Sequence, residues 1–255
     1  MLNEVRDLLN GFEPITLAEM DGVKLMDRTD QKFIFHISKL PDLLRAVQQN
    51  YRALEVSGTR MSRYETLYFD TPEYTLFTQH HNGKTNRYKI RMRRYVESDL
   101  QFFEVKHKNN KGRTLKNRVK TQAQPGDIDP KSENLLNSTA GMQPGDLEPK
   151  LWVNYTRVTL VNRFEEERLT IDLDMEVKDE NGSKRFDTLV IVEAKQSKAM
   201  DTAFVKLLRD QRIREGGMSK YCIAVAELNE NVRKNNFKEG LISLNKITSN
   251  DPNAA

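Results

Sequence analysis

Arg87-Tyr-Lys-Ile-Arg91-Met-Arg93-Arg-Tyr95 is the stretch whose reading decides the fold. Side chains alternate sides along a strand, so Arg87, Lys89, Arg91 and Arg93 share one face while Tyr88, Ile90 and Met92 take the other. The pattern then repeats. Glu104, Lys106 and Lys108 oppose Phe103, Val105 and His107, and Lys116, Arg118 and Lys120 make a third charged row. Further along, Glu166, Arg168, Thr170, Asp172 and Asp174 oppose Leu169, Ile171, Leu173 and Met175. Glu193 and Lys195 oppose Val190, Val192 and Ala194.

An ordinary antiparallel sheet also alternates polar and apolar residues, but it does not require three successive strands crowded with cations. Between Lys84 and Lys120 thirteen Lys and Arg face three acids, while the rest of the 255-residue chain is net acidic at −6. Like charges opposed across a ladder repel. Three arrangements are open: a solvated basic face, a flat cationic surface on an extended polyanion, or a sheet closed on itself with its charges around an anion. Carboxylates among the cations favour closure, since Glu104, Asp172, Asp174 and Glu193 are candidates to hold a divalent metal against phosphate oxygens.

Outward from this region, turn and cap residues divide the chain. Helices are expected at 4–10, 16–20 and 38–50, with a strand at 23–37. Strands follow at 64–68, 87–96, 101–107 and 115–120. A proline-rich connector occupies 124–150 with one short helix near 132–137. Strands resume at 151–161, 168–177 and 188–196. A helix over 198–214, the break at Gly216-Gly217 and a helix over 219–230 complete the pattern, and residues after Asn245 read as a frayed tail. We read one domain over 1–247, with its connector at about 121–150 and a flexible tail at 248–255.

The single cysteine, Cys222, excludes an internal disulfide framework and suits a reducing compartment. No run of about 18 apolar residues is present, and the first ten residues carry acids and no apolar core of a secretory signal. The expectation is a soluble, cytoplasmic protein. Cys222, in an apolar helix, reads as core. His80-His81, read as part of a strand, would point opposite ways and lack a third ligand. Asn110 to Gly112 lacks the spacing of a phosphate loop. Gly216-Gly217 ahead of Ser219-Lys220 either presents a helix N-terminus to an anion or simply stops a helix. Nucleic acid is not expected as a partner, because the basic strands lack interleaved exposed aromatics.

Nine pieces, in order, resemble the VTC domain, the polyphosphate-polymerase domain of the CYTH-like triphosphate-tunnel superfamily. They are Arg28-Thr-Asp-Gln-Lys32-Phe, Tyr64-Glu-Thr-Leu-Tyr-Phe-Asp70-Thr, the Arg87–Tyr95 stretch, Phe103-Glu-Val-Lys106-His-Lys108, Lys116-Asn-Arg118, Tyr155-Thr-Arg157, Arg168-Leu-Thr-Ile-Asp-Leu-Asp174, Val192-Glu193-Ala-Lys195 and Ser219-Lys220-Tyr221. The resemblance implies an α+β fold, an antiparallel tunnel of about eight strands with helices packed outside. It implies ATP and inorganic polyphosphate as ligands, Mn²⁺ or Mg²⁺ as cofactor, and transfer of the ATP γ-phosphate to a growing chain.

Carried over residue by residue, the resemblance makes Arg91, Arg93 and Lys220 catalytic. Lys32, Lys106, Lys108, Lys116, Arg118, Arg157 and Arg168 bind phosphate, and Glu193 binds metal. Lys89, on the face of Arg91 and Arg93, and Lys195, on the face of Glu193, are expected as further phosphate contacts from the alternation alone. The superfamily's triphosphatases carry Glu-x-Glu-x-Lys on their first strand. Arg28-x-Asp30-x-Lys32 stands here instead, which favours transfer over hydrolysis. An inorganic triphosphatase and a non-catalytic polyphosphate-binding accessory protein are the alternatives. Family polymerases often work beside membrane-spanning segments, so membrane coupling here calls for a separate membrane-protein partner.

Overall fold

The computed structural model describes residues 1–21, 29–198, 200–217 and 219–249. Its eleven strands are β1 (Glu13–Ile15), β2 (Thr29–His36), β3 (Tyr51–Leu54), β4 (Ser62–Asp70), β5 (Arg87–Tyr95), β6 (Leu100–Lys108), β7 (Thr114–Lys120), β8 (Glu148–Asn162), β9 (Glu167–Lys178), β10 (Ser183–Phe186) and β11 (Leu189–Gln196). The main path runs β2-β11-β9-β8-β4-β5-β6-β7, with every neighbouring pair antiparallel. These eight strands are the expected tunnel. Among the described residues no ladder joins β2 to β7, so the expected closed barrel is instead a curled sheet with a seam. The curl is nearly complete, because Lys32 of β2 and Lys116 and Arg118 of β7 line one cavity.

Among the described residues eight α-helices accompany the sheet: α1 (Leu2–Asn10), α2 (Leu17–Asp21), α3 (Leu40–Val47), α4 (Thr75–His81), α5 (Pro130–Ala140), α6 (Ala203–Asp210), α7 (Lys220–Leu228) and α8 (Lys238–Thr248). Local chemistry starts and stops several of them. Asp129 caps α5 by accepting from the Ser132 N–H at 2.8 Å, Pro130 opens it, and Gly141 ends it in the left-handed conformation at φ 64°.

Alternation sets which face each strand buries. On the convex side, Phe33, Phe35, Leu169, Ile171, Leu173, Val190 and Val192 pack with α1, α3 and α6. Ile90, Met92, Phe103 and Val105 pack under Leu136 of α5. Each large apolar side chain so buried contributes about 1.5–3 kcal/mol. The concave side is divided. One part is apolar, where the buried run Tyr221–Val225 of α7 packs on Leu151, Val153, Met175 and Val177, and the other part holds charge.

A bulge in β9 makes this division. Tyr155 faces two residues, Asp174 and Met175, between the pairs Thr156↔Leu173 and Asn154↔Glu176, and Asp174 has φ 51°. Before the bulge Leu173 packs on the convex core, whereas after it Met175 and Val177 pack on α7. The sequence expectation that Asp174 shares a face with Asp172 therefore fails. Asp174 instead takes both arms of Arg185 on β10, at 2.6 and 2.7 Å, and is lost to any tunnel metal site.

Other expectations shift as well. The helix expected over 198–214 is only α6, and the chain stays helical past Asn245 to Thr248 because Leu244 and Ile247 are buried. His80 and His81 lie on α4, not on a strand. Gly216 and Gly217 do not stop the preceding helix, since α6 already ends at Asp210. The Gly216 N–H donates to the Lys32 carbonyl at 2.9 Å, so the segment runs along the free edge of β2. Gly217 adopts φ 135°, and a Cβ there would sit 2.9 Å from Ile34 Cδ1. The 23–28 part of the expected first strand, Arg28 included, lies outside the described residues.

Candidate phosphate-binding tunnel

The charged half of the concave face encloses a cavity of about 810 Å³. One wall is β5, β6 and β7. Their register places Lys89 opposite Lys106 and Lys106 opposite Lys116; one step along, Arg91 faces Glu104 and Glu104 faces Arg118. Glu104 is 0% exposed. It accepts from Arg91 Nε at 2.7 Å and pairs with Lys116. Burial alone would raise its pKa, yet Arg91 and Lys116 outweigh burial and hold the carboxyl well below the usual range. The other Arg91 arm donates to the Tyr68 hydroxyl at 3.3 Å, and Arg93 donates to Thr66 Oγ1 at 3.1 Å.

No carboxylate stands within ion-pair distance of Lys89 or Lys106 among the described residues. Arg91, followed by burial, presses the Lys106 pKa well below that of an ordinary lysine. Burial lowers Lys89 as well. Burial brings Lys116 down to about 8 despite Glu104. An anion between these side chains would relieve that repulsion.

The opposite wall comes from β8, β9, β11 and β2. Arg157 grips Asp172 with two parallel bonds of 2.6 and 2.7 Å, the bidentate geometry that planar guanidinium favours. Lys220, from the first turn of α7, also binds Asp172. Glu193 pairs with Lys32 at 3.1 Å and with Lys195. Both carboxylates are held far down, against burial, by these cations. Burial lowers Lys195 to about 8 despite Glu193. Arg168 stands opposite Lys195 in register and lines the same cavity.

Of the expected catalytic and phosphate-binding residues together with Glu193, twelve of thirteen therefore meet around one space: Lys32, Lys89, Arg91, Arg93, Lys106, Lys116, Arg118, Arg157, Arg168, Glu193, Lys195 and Lys220. Lys108 does not line it. It stands opposite Arg87 at the end of β6, and Arg87 takes a place on the wall. His80 also lines the cavity, its pKa pressed to about 3 by burial and by Lys89 and Arg87. The strand reading of His80-His81 hid this position. A wall of tyrosines was also missed: Tyr64 stacks on Tyr155 at 5.3 Å, with Arg93 and Arg157 over the Tyr64 ring at 5.4 and 4.9 Å.

The family model of the VTC domain matches residues 27–229. The chain belongs to the VTC domain family. Among solved structures, this VTC domain is similar to a candidate adenylyl cyclase of Hippeastrum with a dominant triphosphatase activity (TM-score 0.48, 15% identity, 78% of this chain and 96% of that one). It is also similar to candidate adenylate cyclases of Vibrio parahaemolyticus (0.46, 13%, 77% and 97%) and Bacillus halodurans (0.45, 13%, 80% and 100%). These are likenesses at low identity, and the assignment rests on the family model. No curated protein matches the chain.

A divalent metal is implied by the family, and the donors here fit it only sparingly. No group of three or more His, Cys, Asp or Glu is placed to hold an ion among the described residues. Glu193 is a single wall carboxylate, 23% exposed at its side chain. That suits Mg²⁺ or Mn²⁺ when bound phosphates and water supply the remaining oxygens. Asp172 is also paired twice, but its side chain is only 3% exposed beneath Arg157 and Lys220. No helix of the described residues is long and apolar enough to cross a membrane.

Proposed function

We propose that this VTC domain is an ATP-dependent polyphosphate polymerase. The carrying observation is that, among the described residues, the two carboxylates lining the cavity, Asp172 and Glu193, are each bound by two cations. Neither is placed to take a proton from water. The surrounding cations suit a reaction in which both partners are phosphates.

In that reaction a terminal oxygen of the polyphosphate attacks the γ-phosphorus of ATP. The new P–O bond forms as the β–γ bridging bond breaks, and ADP leaves with the bond's electron pair. The attacking oxygen is already anionic, so no side chain need serve as nucleophile or general base. Arg91, Arg93 and Arg157 orient phosphate oxygens through fixed forks, while Lys32, Lys89, Lys106, Lys195 and Lys220 supply movable charge. Lys116 and Arg118 extend that wall, with Arg168 opposite. Lys108 continues the charged row at the end of β6. A metal on Glu193, when bound, would neutralise charge on the transferred group.

The test is purified protein with ATP and Mn²⁺, beside Arg91→Ala and Glu193→Ala, with polymer resolved on gels and ADP and free phosphate measured. Polymer with matching ADP, lost in both variants, is expected. Free phosphate without polymer would move the protein to the hydrolases. Tight polyphosphate binding with neither product would make it an accessory binder.

A further inference from the structure

Among the described residues every cavity Lys and Arg but one sits on a strand, where the ladder fixes its place. The exception among the described residues is Lys220, on the first turn of α7. Its place depends on contacts made by the helix, and its bond to Asp172 is one that a bound phosphate would compete for. The residue beside it, Tyr221, is 1% exposed and points elsewhere. Its hydroxyl donates to Asp70, the last residue of β4.

Asp70 is itself 0% exposed and meets no Lys or Arg within ion-pair distance among the described residues. Its oxygens accept instead from the N–H groups of Thr71, Leu76 and Phe77 at 2.7, 2.8 and 2.8 Å. These bonds fix the carboxylate rigidly between β4 and α4. The Tyr221 ring also stacks on Tyr68 at 5.0 Å and 27°, and the Tyr68 hydroxyl accepts from Arg91. One side chain thus ties the α7 first turn both to a fixed carboxylate and to the partner of a second phosphate-facing cation.

We propose that Asp70, acting through the Tyr221 hydroxyl, is a positioning residue that holds Lys220 at the tunnel wall once phosphate has drawn it from Asp172. The inference rests on the phosphate-tunnel reading of the cavity. Neither residue touches the phosphate. Each acts by keeping the α7 first turn in place while the Lys220–Asp172 bond is exchanged.

The test is a double-mutant cycle read by the affinity for inorganic tripolyphosphate without metal, measured by titration calorimetry. Tyr221→Phe keeps the ring and removes only the hydroxyl. It is expected to weaken binding about fivefold, the worth of one hydrogen bond. In a Lys220→Ala background the same change is expected to alter affinity by less than about twofold. An equal loss in both backgrounds would show a merely structural role and overturn the proposal, as would unchanged affinity in the single variant. Should Tyr221→Phe fail to fold, Asp70→Asn enters the same cycle, with the same outcomes deciding. A folded wild-type protein that binds no tripolyphosphate would overturn the tunnel reading itself, whereas binding without coupling to Lys220 would overturn only this inference.

Discussion

Arg91 and Glu104 stand directly opposite each other on β5 and β6, with both side chains buried and joined at 2.6–2.7 Å. The pair explains how a cationic wall folds before any anion arrives, since Glu104 offsets Arg91 and Lys116 from within the sheet. Removing one partner of a buried pair costs about 3 kcal/mol or more. Glu104→Gln is therefore expected to lower Tm in phosphate-free buffer. Tripolyphosphate should restore more of that Tm than it adds to the wild type. Equal ligand shifts in differential scanning calorimetry would contradict the view that Glu104 stands in for anion charge.

Lys116 and Lys195, both lowered to about 8, give the binding a pH dependence. A bound phosphate favours their charged forms, so their pKa values rise in the complex and binding takes up protons. Affinity for tripolyphosphate is expected to fall as pH rises from 7 to 9. For the free protein the sign is opposite. These lysines hold fewer protons folded than unfolded between about 8 and 10.5, so their contribution to stability increases with pH across that window. Calorimetry in buffers of different ionisation enthalpy measures the proton uptake.

Glu193→Gln separates metal binding from charge balance. The substitution frees Lys32 and Lys195 from their shared partner. Tripolyphosphate affinity in EDTA is expected to hold or rise, while Mn²⁺-dependent turnover falls by about 100-fold or more, in line with loss of a metal contact in phosphoryl transfer. A parallel loss of affinity and turnover would instead make Glu193 a structural residue.

Gly217→Ala is expected to destabilise the protein by roughly 1–3 kcal/mol, because φ 135° suits glycine and the new Cβ would meet Ile34. Gly216→Ala is the control. A Cβ there has nothing within 4 Å, so Tm should change little. Thermal denaturation of the two variants decides whether the segment on the β2 edge is held by this close approach.

The charged rows were legible because alternation is local. Arg87 to Arg93 needs only period two to place its cations on one face, and neighbouring rows align by register. What escaped the sequence depends on distant partners. Helix α4 follows Tyr74 at φ 58°, whose side chain gives no cap; the Thr75 N–H donates to Thr71 Oγ1 and those of Leu76 and Phe77 to Asp70, so no residue at the cap position announces it. Strands β1 and β3, of three and four residues, pair with each other in parallel and are too short to show a period. The polar text of α8 hides a helix that buries only Leu244 and Ile247. Asp174 misled because the alternation around it is unbroken in sequence, and only its backbone angle reveals the extra residue.

That extra residue gives β9 two reading frames. Upstream of Asp174 the even positions face the tunnel, and downstream the odd positions face α7. Straightening the bulge at unchanged length would act on this strand as a frameshift acts on a gene. Every residue would remain, but Glu176 and Lys178 would turn into the apolar plug while Met175 and Val177 turned out. Deleting Asp174 would instead pair Met175 with Tyr155 and keep both faces in frame. A strand that serves a charged site and a hydrophobic core on one face therefore depends on where its extra residue is taken up.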